Sequence, residues 1–107
     1  MANTEHIVVS LSGAMTISSV GAAHAELAAA LQAPGPLVVD LSEVIEADLT
    51  LVQLIESLRR SAHDAGRVLS LAHPAGEAVR EVLQRGGFLD DDTSERTLFW
   101  LQGATKQ

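Results

Sequence analysis

The alternation of short apolar runs with longer segments of helical periodicity is the feature that most constrains the fold. The short apolar runs EHIVVSL, LVVDL and VLSLA predict strands at 5–11, 37–41 and 68–72, and the first of them is rich in β-branched residues. Between and after these runs, apolar side chains recur at intervals of three and four residues, which predicts helices. This order is typical of an α/β domain with helices packed on a largely parallel sheet, and the continuous run LVVDL suits a central strand covered on both faces.

The boundaries of the predicted helices follow from glycine, proline and capping residues. An alanine-rich helix ends at Pro34-Gly35-Pro36, and the strongest amphipathic helix covers Leu49–Ala65, with Gly66 as its stop. Pro74 opens a third helix that ends at Gly86-Gly87. We therefore predict three to four helices around a mixed, mostly parallel sheet of about four strands.

Two segments admit more than one interpretation. Residues 14–19 could form a brief extra strand or a turn, with the start of the first helix capped by one of three hydroxyl residues, Thr16, Ser18 and Ser19. Residues 94–101 contain four consecutive apolar residues, a pattern that fits either a short helix or a strand.

Length and composition indicate one folded domain over residues 1–107, with a short C-terminal tail at 90–107. Leu, Val, Ile and Phe make up 31 of the 107 residues, well above the fraction typical of disordered chains. The chain has no cysteine, which excludes disulfides and thiolate metal sites. Together with the lack of a signal peptide or an apolar membrane span, this predicts a cytoplasmic protein.

The net charge of −7 argues against nucleic acid and against anionic membrane surfaces as partners. The lack of a long apolar run predicts no direct insertion into a membrane. The few arginines are scattered and form no basic cluster. A protein partner with a basic or apolar surface fits better.

No pattern of catalytic, cofactor or metal-binding residues is present. The sequence lacks phosphate-loop, dinucleotide and nucleophile-elbow motifs, and its four histidines have no helical ligand spacing. The acidic run at 90–92 lacks the spacing of a calcium loop and predicts a solvated turn. We expect a non-enzymatic protein without cofactor or metal.

The junction between the second strand and the strongest helix carries the main functional signal. Asp48 is placed to cap the helix, and Thr50 would then lie in the first turn. A phosphate added to Thr50 would meet free backbone N–H groups, although Asp48 and Glu46 bring like charges nearby. The alternative is that Asp48 is a cap and Thr50 an ordinary helical residue.

Residues 7–89 resemble the STAS domain, the family of bacterial anti-sigma-factor antagonists and their relatives. The matching pieces are a Leu-Ser-Gly turn at 11–13, the strand VVDLS at 38–42, Asp48-Leu49-Thr50 at the phosphorylation motif, the glycine and strand at 66–71, and Gly86. The resemblance implies a single-domain α/β fold of the STAS type.

The resemblance also implies a function. In the family, a serine kinase phosphorylates the residue that corresponds to Thr50, and phosphorylation releases the kinase or anti-sigma factor. Asp48 would orient that residue. The expected contact surface comprises Glu46, Leu49, Leu51, Val52 and Gln53.

Two departures from the family motif support an alternative function. Leu49 stands where the family has a first hydroxyl residue, and Leu51 stands where it has glycine. Such divergence suits a constitutive subunit of a chemotaxis array or a lipid-transport ABC complex that is not phosphorylated. Either interpretation is compatible with a homodimer.

Overall fold

A computed structural model describes residues 7–32, 35–89 and 95–102 of the chain. The predictions for the acidic run at 90–92 and for most of the C-terminal tail lie outside these residues. The described elements, in chain order, are β1 (Ile7–Met15), α1 (Val20–Leu31), β2 (Leu37–Ala47), α2 (Leu49–Asp64), β3 (Leu69–Leu71), α3 (Glu77–Arg85) and α4 (Glu95–Gln102).

The strands form a parallel sheet in the order β1-β2-β3, with β2 in the centre. Ile7 lies opposite Leu37, and Leu37 lies opposite Leu69. The predicted α/β class, the parallel pairing and the number of helices are confirmed. The sheet has three strands within the described ranges, rather than about four.

The first two strands are longer than the sequence predicts. β1 continues through Gly13 to Met15, and β2 continues past Leu41 to Ala47. The pairing of the two strands shifts register between Ser10 and Ser12 and again after Gly13, which has a positive φ of 77°. Such bulges let a strand bend and continue. Residues 42–47, which lie between the predicted strand at 37–41 and the predicted helix from Leu49, therefore belong to β2.

A hydrogen-bonded turn at Thr16–Ser19 joins β1 to α1, which settles the segment left open at 14–19. Ser19 is the residue before α1, but its side chain does not cap the helix. Its Oγ instead donates to the carbonyl of Ala14 at 2.7 Å and accepts from the N–H of Thr16 at 3.0 Å. The hydroxyl therefore holds the turn closed.

The structure corrects the predicted start of the third helix and decides the form of residues 94–101. Pro74 does not begin a helix, because α3 starts at Glu77 after Gly76. The N–H of buried Ala75 donates to the carbonyl of Trp100 at 2.8 Å, so this stretch pairs with α4 instead. The segment at 94–101, left open between helix and strand, is the helix α4.

The hydrophobic core lies between the sheet and the helices. Alternate strand residues such as Val9 and Val39 are buried, whereas Val8 is exposed and Val38 is half-buried. Within the described residues, β2 is therefore fully covered on one face, and the expectation of two covered faces is wrong. The largest fully buried side chains are those of Trp100, Leu27, Leu37, Leu51, Ile55, Leu71 and Leu83.

The end of α2 is fixed by Gly66 and Arg67. Gly66 has a φ of 71°, and the N–H of Arg67 donates to the carbonyl of Ala62 at 2.8 Å, which closes the helix as the sequence predicts. The Arg67 guanidinium also donates to the carbonyls of Leu31 and Gly35, the latter from Nε at 3.0 Å. This side chain ties the end of α1 to the end of α2.

Arg67→Met is expected to lower the free energy of unfolding by about 2–3 kcal/mol, because half-buried carbonyls lose a charged donor. Urea denaturation followed by circular dichroism measures the change. The control is Arg60→Met on exposed α2 surface, with an expected effect within about 0.5 kcal/mol. Equal effects of the two substitutions would show that the Arg67 bonds do not stabilise the fold.

Candidate functional site

The site is built on Asp48, which links the end of β2 to the start of α2. Its backbone is extended (φ −131°, ψ −175°), and its Oδ1 accepts the N–H of Thr50 at 2.9 Å. Asp48 is thus the N-cap that the sequence predicts. The cap fixes the direction in which the first turn of α2 leaves the sheet.

The second carboxylate oxygen of Asp48 makes a contact that sequence reasoning missed. Oδ2 accepts the N–H of Ile17 at 3.0 Å, which joins the start of α2 to the turn between β1 and α1. The two residues are 31 positions apart, and no local pattern marks Ile17 as a partner. One carboxylate therefore holds two loops of the site in a fixed arrangement.

These bonds set the charge of the site. Partial desolvation raises the pKa of Asp48, but the N–H groups of Ile17 and Thr50, the Thr50 hydroxyl and the N–H of Leu51 together hold it below its usual value. Asp48 is consequently ionised at neutral pH. The rim of the sheet carries a fixed negative charge there.

Thr50, the predicted phosphoacceptor, lies in the first turn of α2 and is half-buried. Its backbone N–H donates to Asp48 Oδ1 at 2.9 Å, and its hydroxyl contributes to the lowered pKa of the Asp48 carboxylate. The structure therefore places the two predicted switch residues in direct contact. It leaves part of Thr50 accessible to solvent.

Several apolar side chains around Asp48 are exposed. Ile17 is 76% exposed, Ile45 is 78% exposed and Leu49 is 44% exposed. Of these, the sequence analysis selected Leu49. The Ile17 N–H is bonded to Asp48, 31 positions away, and Ile45 lies where the pairing of β2 with β1 shifts register, so apolar periodicity predicts neither exposure.

The predicted contact residues divide into two groups. Glu46, Leu49 and Gln53 are exposed near the start of α2. Leu51 and Val52 have no exposed surface and pack in the core. The helix turns them towards the sheet, so we remove both from the candidate surface.

An open, mainly apolar cleft adjoins this surface, between the start of α2 and the end of α3. It has a volume of about 280 Å³ and is lined by Ala47, Asp48, Leu49, Val82, Arg85 and Gly86. No sequence pattern predicts this cleft, because α2 and α3 come together only in the fold.

Among residues 7–32, 35–89 and 95–102, no group of three or more His, Asp or Glu side chains is arranged to hold a metal ion. In the same ranges, no helix has the length and apolar character needed to cross a membrane.

Asp48→Asn is expected to lower the melting temperature at neutral pH. Asparagine can still cap Thr50 through its carbonyl, but its NH₂ group cannot accept the N–H of Ile17. Because folding lowers the pKa of Asp48, the ionised carboxylate stabilises the fold above the ordinary pKa of 3.8, and this stabilisation is lost as the pH falls through the folded value. The difference between the two proteins should therefore shrink in acid.

The control is Asp40→Asn. Asp40 accepts from the Ser42 hydroxyl at 2.6 Å and the Ser42 N–H at 2.9 Å, bonds that also lower its pKa. Its substitution should act in the same pH range but leave the amide NMR signal of Ile17 in place, whereas Asp48→Asn should shift it. An unmoved Ile17 signal in Asp48→Asn would contradict the assigned bond.

The fold and the site together define a class of α/β domain: a parallel sheet whose rim presents the capped start of a helix. The family model described as "Mlab, STAS domain" matches residues 2–94. The chain therefore belongs to the STAS family, as the sequence resemblance indicated. STAS domains generally act in protein interaction and regulation and are not catalytic.

Comparison with solved structures supports the fold assignment. A sulfate transporter family protein from Wolinella succinogenes superposes with a TM-score of 0.59 at 17% sequence identity, covering 79% of this chain and 69% of that one. At this identity the match shows the shared fold alone. The search of curated proteins gave no significant match.

Proposed function

We propose that this chain is a non-enzymatic regulatory domain of bacterial signalling that binds a partner protein through the surface around Asp48. The observation that carries the proposal is the position of Asp48. Its carboxylate holds Ile17 and the first turn of α2 together, and both Ile17 and Leu49 expose apolar surface beside it. Exposed apolar groups on rigid supports are suitable anchors for a protein interface.

We further propose that phosphorylation of Thr50 regulates this binding, as the family resemblance implies. A partner serine kinase would transfer the γ-phosphoryl group of ATP. The Thr50 oxygen forms the new bond to phosphorus, ADP leaves, and a base on the kinase takes the hydroxyl proton. The product places about two negative charges beside the Asp48 carboxylate, so repulsion and desolvation oppose a close interface.

Mass spectrometry tests this switch. The chain is isolated from the cells that produce it naturally, and its intact mass and fragment masses are measured. The proposal expects one phosphoryl group located on Thr50 and absent from a Thr50→Val variant. A chain that stays unmodified under all growth conditions while bound to its partner would contradict the switch.

The second candidate is a constitutive subunit of a signalling array or of a lipid-transport ABC complex, without phosphorylation. The site offers one observation in its favour. Thr50 is half-buried and its backbone N–H is bonded to Asp48, and the neighbouring Leu49 adds apolar bulk at the surface. For this candidate, mass spectrometry should find the chain bound to its partner with Thr50 unmodified. The same result would contradict the phosphorylation switch.

A further inference from the structure

We propose that the cleft between α2 and α3 binds an aliphatic side chain of the partner protein, and that lysine or arginine residues flanking this side chain face Glu46 and Asp48. The inference rests on the proposed function, because it names the chemistry of the partner at the same surface. It extends the interface from the start of α2 to the end of α3.

The residues that line the cleft favour an aliphatic side chain as its ligand. Ala47, Leu49 and Val82 provide its apolar walls, and the half-buried Val82 packs against the core. The volume of about 280 Å³ lies below the range of roughly 300–1,000 Å³ typical of small-molecule sites. A single anchoring side chain from a protein fits this size, and such anchors contribute much of the energy of an interface.

The charges around the cleft favour basic residues in the partner, on either side of its aliphatic side chain. Asp48 lines the cleft, and the exposed Glu46 precedes it by two residues. Arg85, the one cation among the described residues that line the cleft, pairs with Glu81 at 3.7 Å, which offsets its charge. The rim of the cleft thus keeps an excess of negative charge, which disfavours a phosphorylated or acidic ligand and favours lysine or arginine.

Titration of the ¹⁵N-labelled full chain with three synthetic peptides tests the inference. The first peptide has a leucine flanked by lysines, the second replaces the leucine by serine, and the third replaces the lysines by glutamates. We expect the first to bind at least about tenfold more tightly than either of the others, since burial of leucine and charge complementarity both contribute. Its binding should shift the amide signals of Ala47–Leu49 and Val82–Gly86.

Substitutions in the chain separate the two contributions. Leu49→Ser should lower the affinity for the first peptide at low and high salt alike. Glu46→Lys should lower that affinity mainly at low salt, where charges are least screened. Leu98→Ser, at a similarly exposed leucine of α4 away from the cleft lining, is the matched control and should leave peptide binding unchanged at both salt concentrations. Equal binding of the three peptides, or signal shifts confined to other parts of the chain, would overturn the inference.

Failure here and failure of the proposed function give different results. If a partner docks at the start of α2 but the three peptides bind with equal affinity, the interaction surface is supported and the assigned partner chemistry is wrong. If the first peptide binds more tightly than the others but no protein contacts the start of α2 in cells, the cleft has the proposed preference and the proposed function is wrong.

Discussion

Trp100→Ala is expected to lower the free energy of unfolding by about 3–5 kcal/mol, a large part of the stability of a small domain. The Trp100 side chain has no exposed surface, and its Nε1 donates to Glu56 Oε2 at 2.7 Å. Its ring also packs edge-on against Phe99, with centroids 5.3 Å apart. Removal would leave a cavity in the hydrophobic core and take a donor from the Glu56 carboxylate.

Urea denaturation followed by circular dichroism measures this effect, with two variants as comparisons. Leu98→Ala, on the exposed side of the same helix, should change the stability by less than about 1 kcal/mol. Trp100→Phe keeps most of the apolar volume and loses the hydrogen bond, so it should fall between the two. A Trp100→Ala variant as stable as Leu98→Ala would show that α4 does not help to hold the fold.

Thr50→Glu is expected to reduce the affinity for the natural partner at least about tenfold, because a like charge beside Asp48 opposes a close interface. Thr50→Val, which keeps the shape without the charge, should reduce it much less. The complex is purified with its partner and the affinities are measured by isothermal titration. Thermal melts show whether each variant is folded.

If Thr50→Glu and Thr50→Val bind equally well, a negative charge at this position does not control binding. Phosphorylation of Thr50 would then not be the switch, even where the modification occurs. Binding through the exposed residues Ile17 and Leu49 would be unaffected by that result.

The elements of the fold could be predicted because their signals are local. The stripe from Leu51 to Ala62 defines α2, and Gly66 ends it through its own backbone conformation. The extension of β2 to Ala47 could not be predicted, since it depends on bulged pairing with β1. The late start of α3 likewise depends on the bond between Ala75 and Trp100, which are distant in sequence.

For the candidate site too, contacts between neighbouring residues could be predicted from the sequence, and contacts that depend on the tertiary fold could not. The cap formed by Asp48 on Thr50 involves neighbouring residues and follows from capping preferences. The bond to Ile17 and the cleft against Val82 require the tertiary fold. The burial of Leu51 and Val52 was foreseeable in part, because Leu51 belongs to the apolar stripe that defines the helix.

Photo-crosslinking at two positions of α2 tests most directly whether the start of this helix is the docking surface. A photoreactive residue is placed at Leu49, or at the exposed His63 about 21 Å further along the helix at 1.5 Å per residue. In the cells that produce the chain, we predict a crosslink to one defined protein from position 49, lost in the presence of Thr50→Glu, and none to that protein from position 63. Equal crosslinking from both positions, or from position 63 alone, would contradict the account.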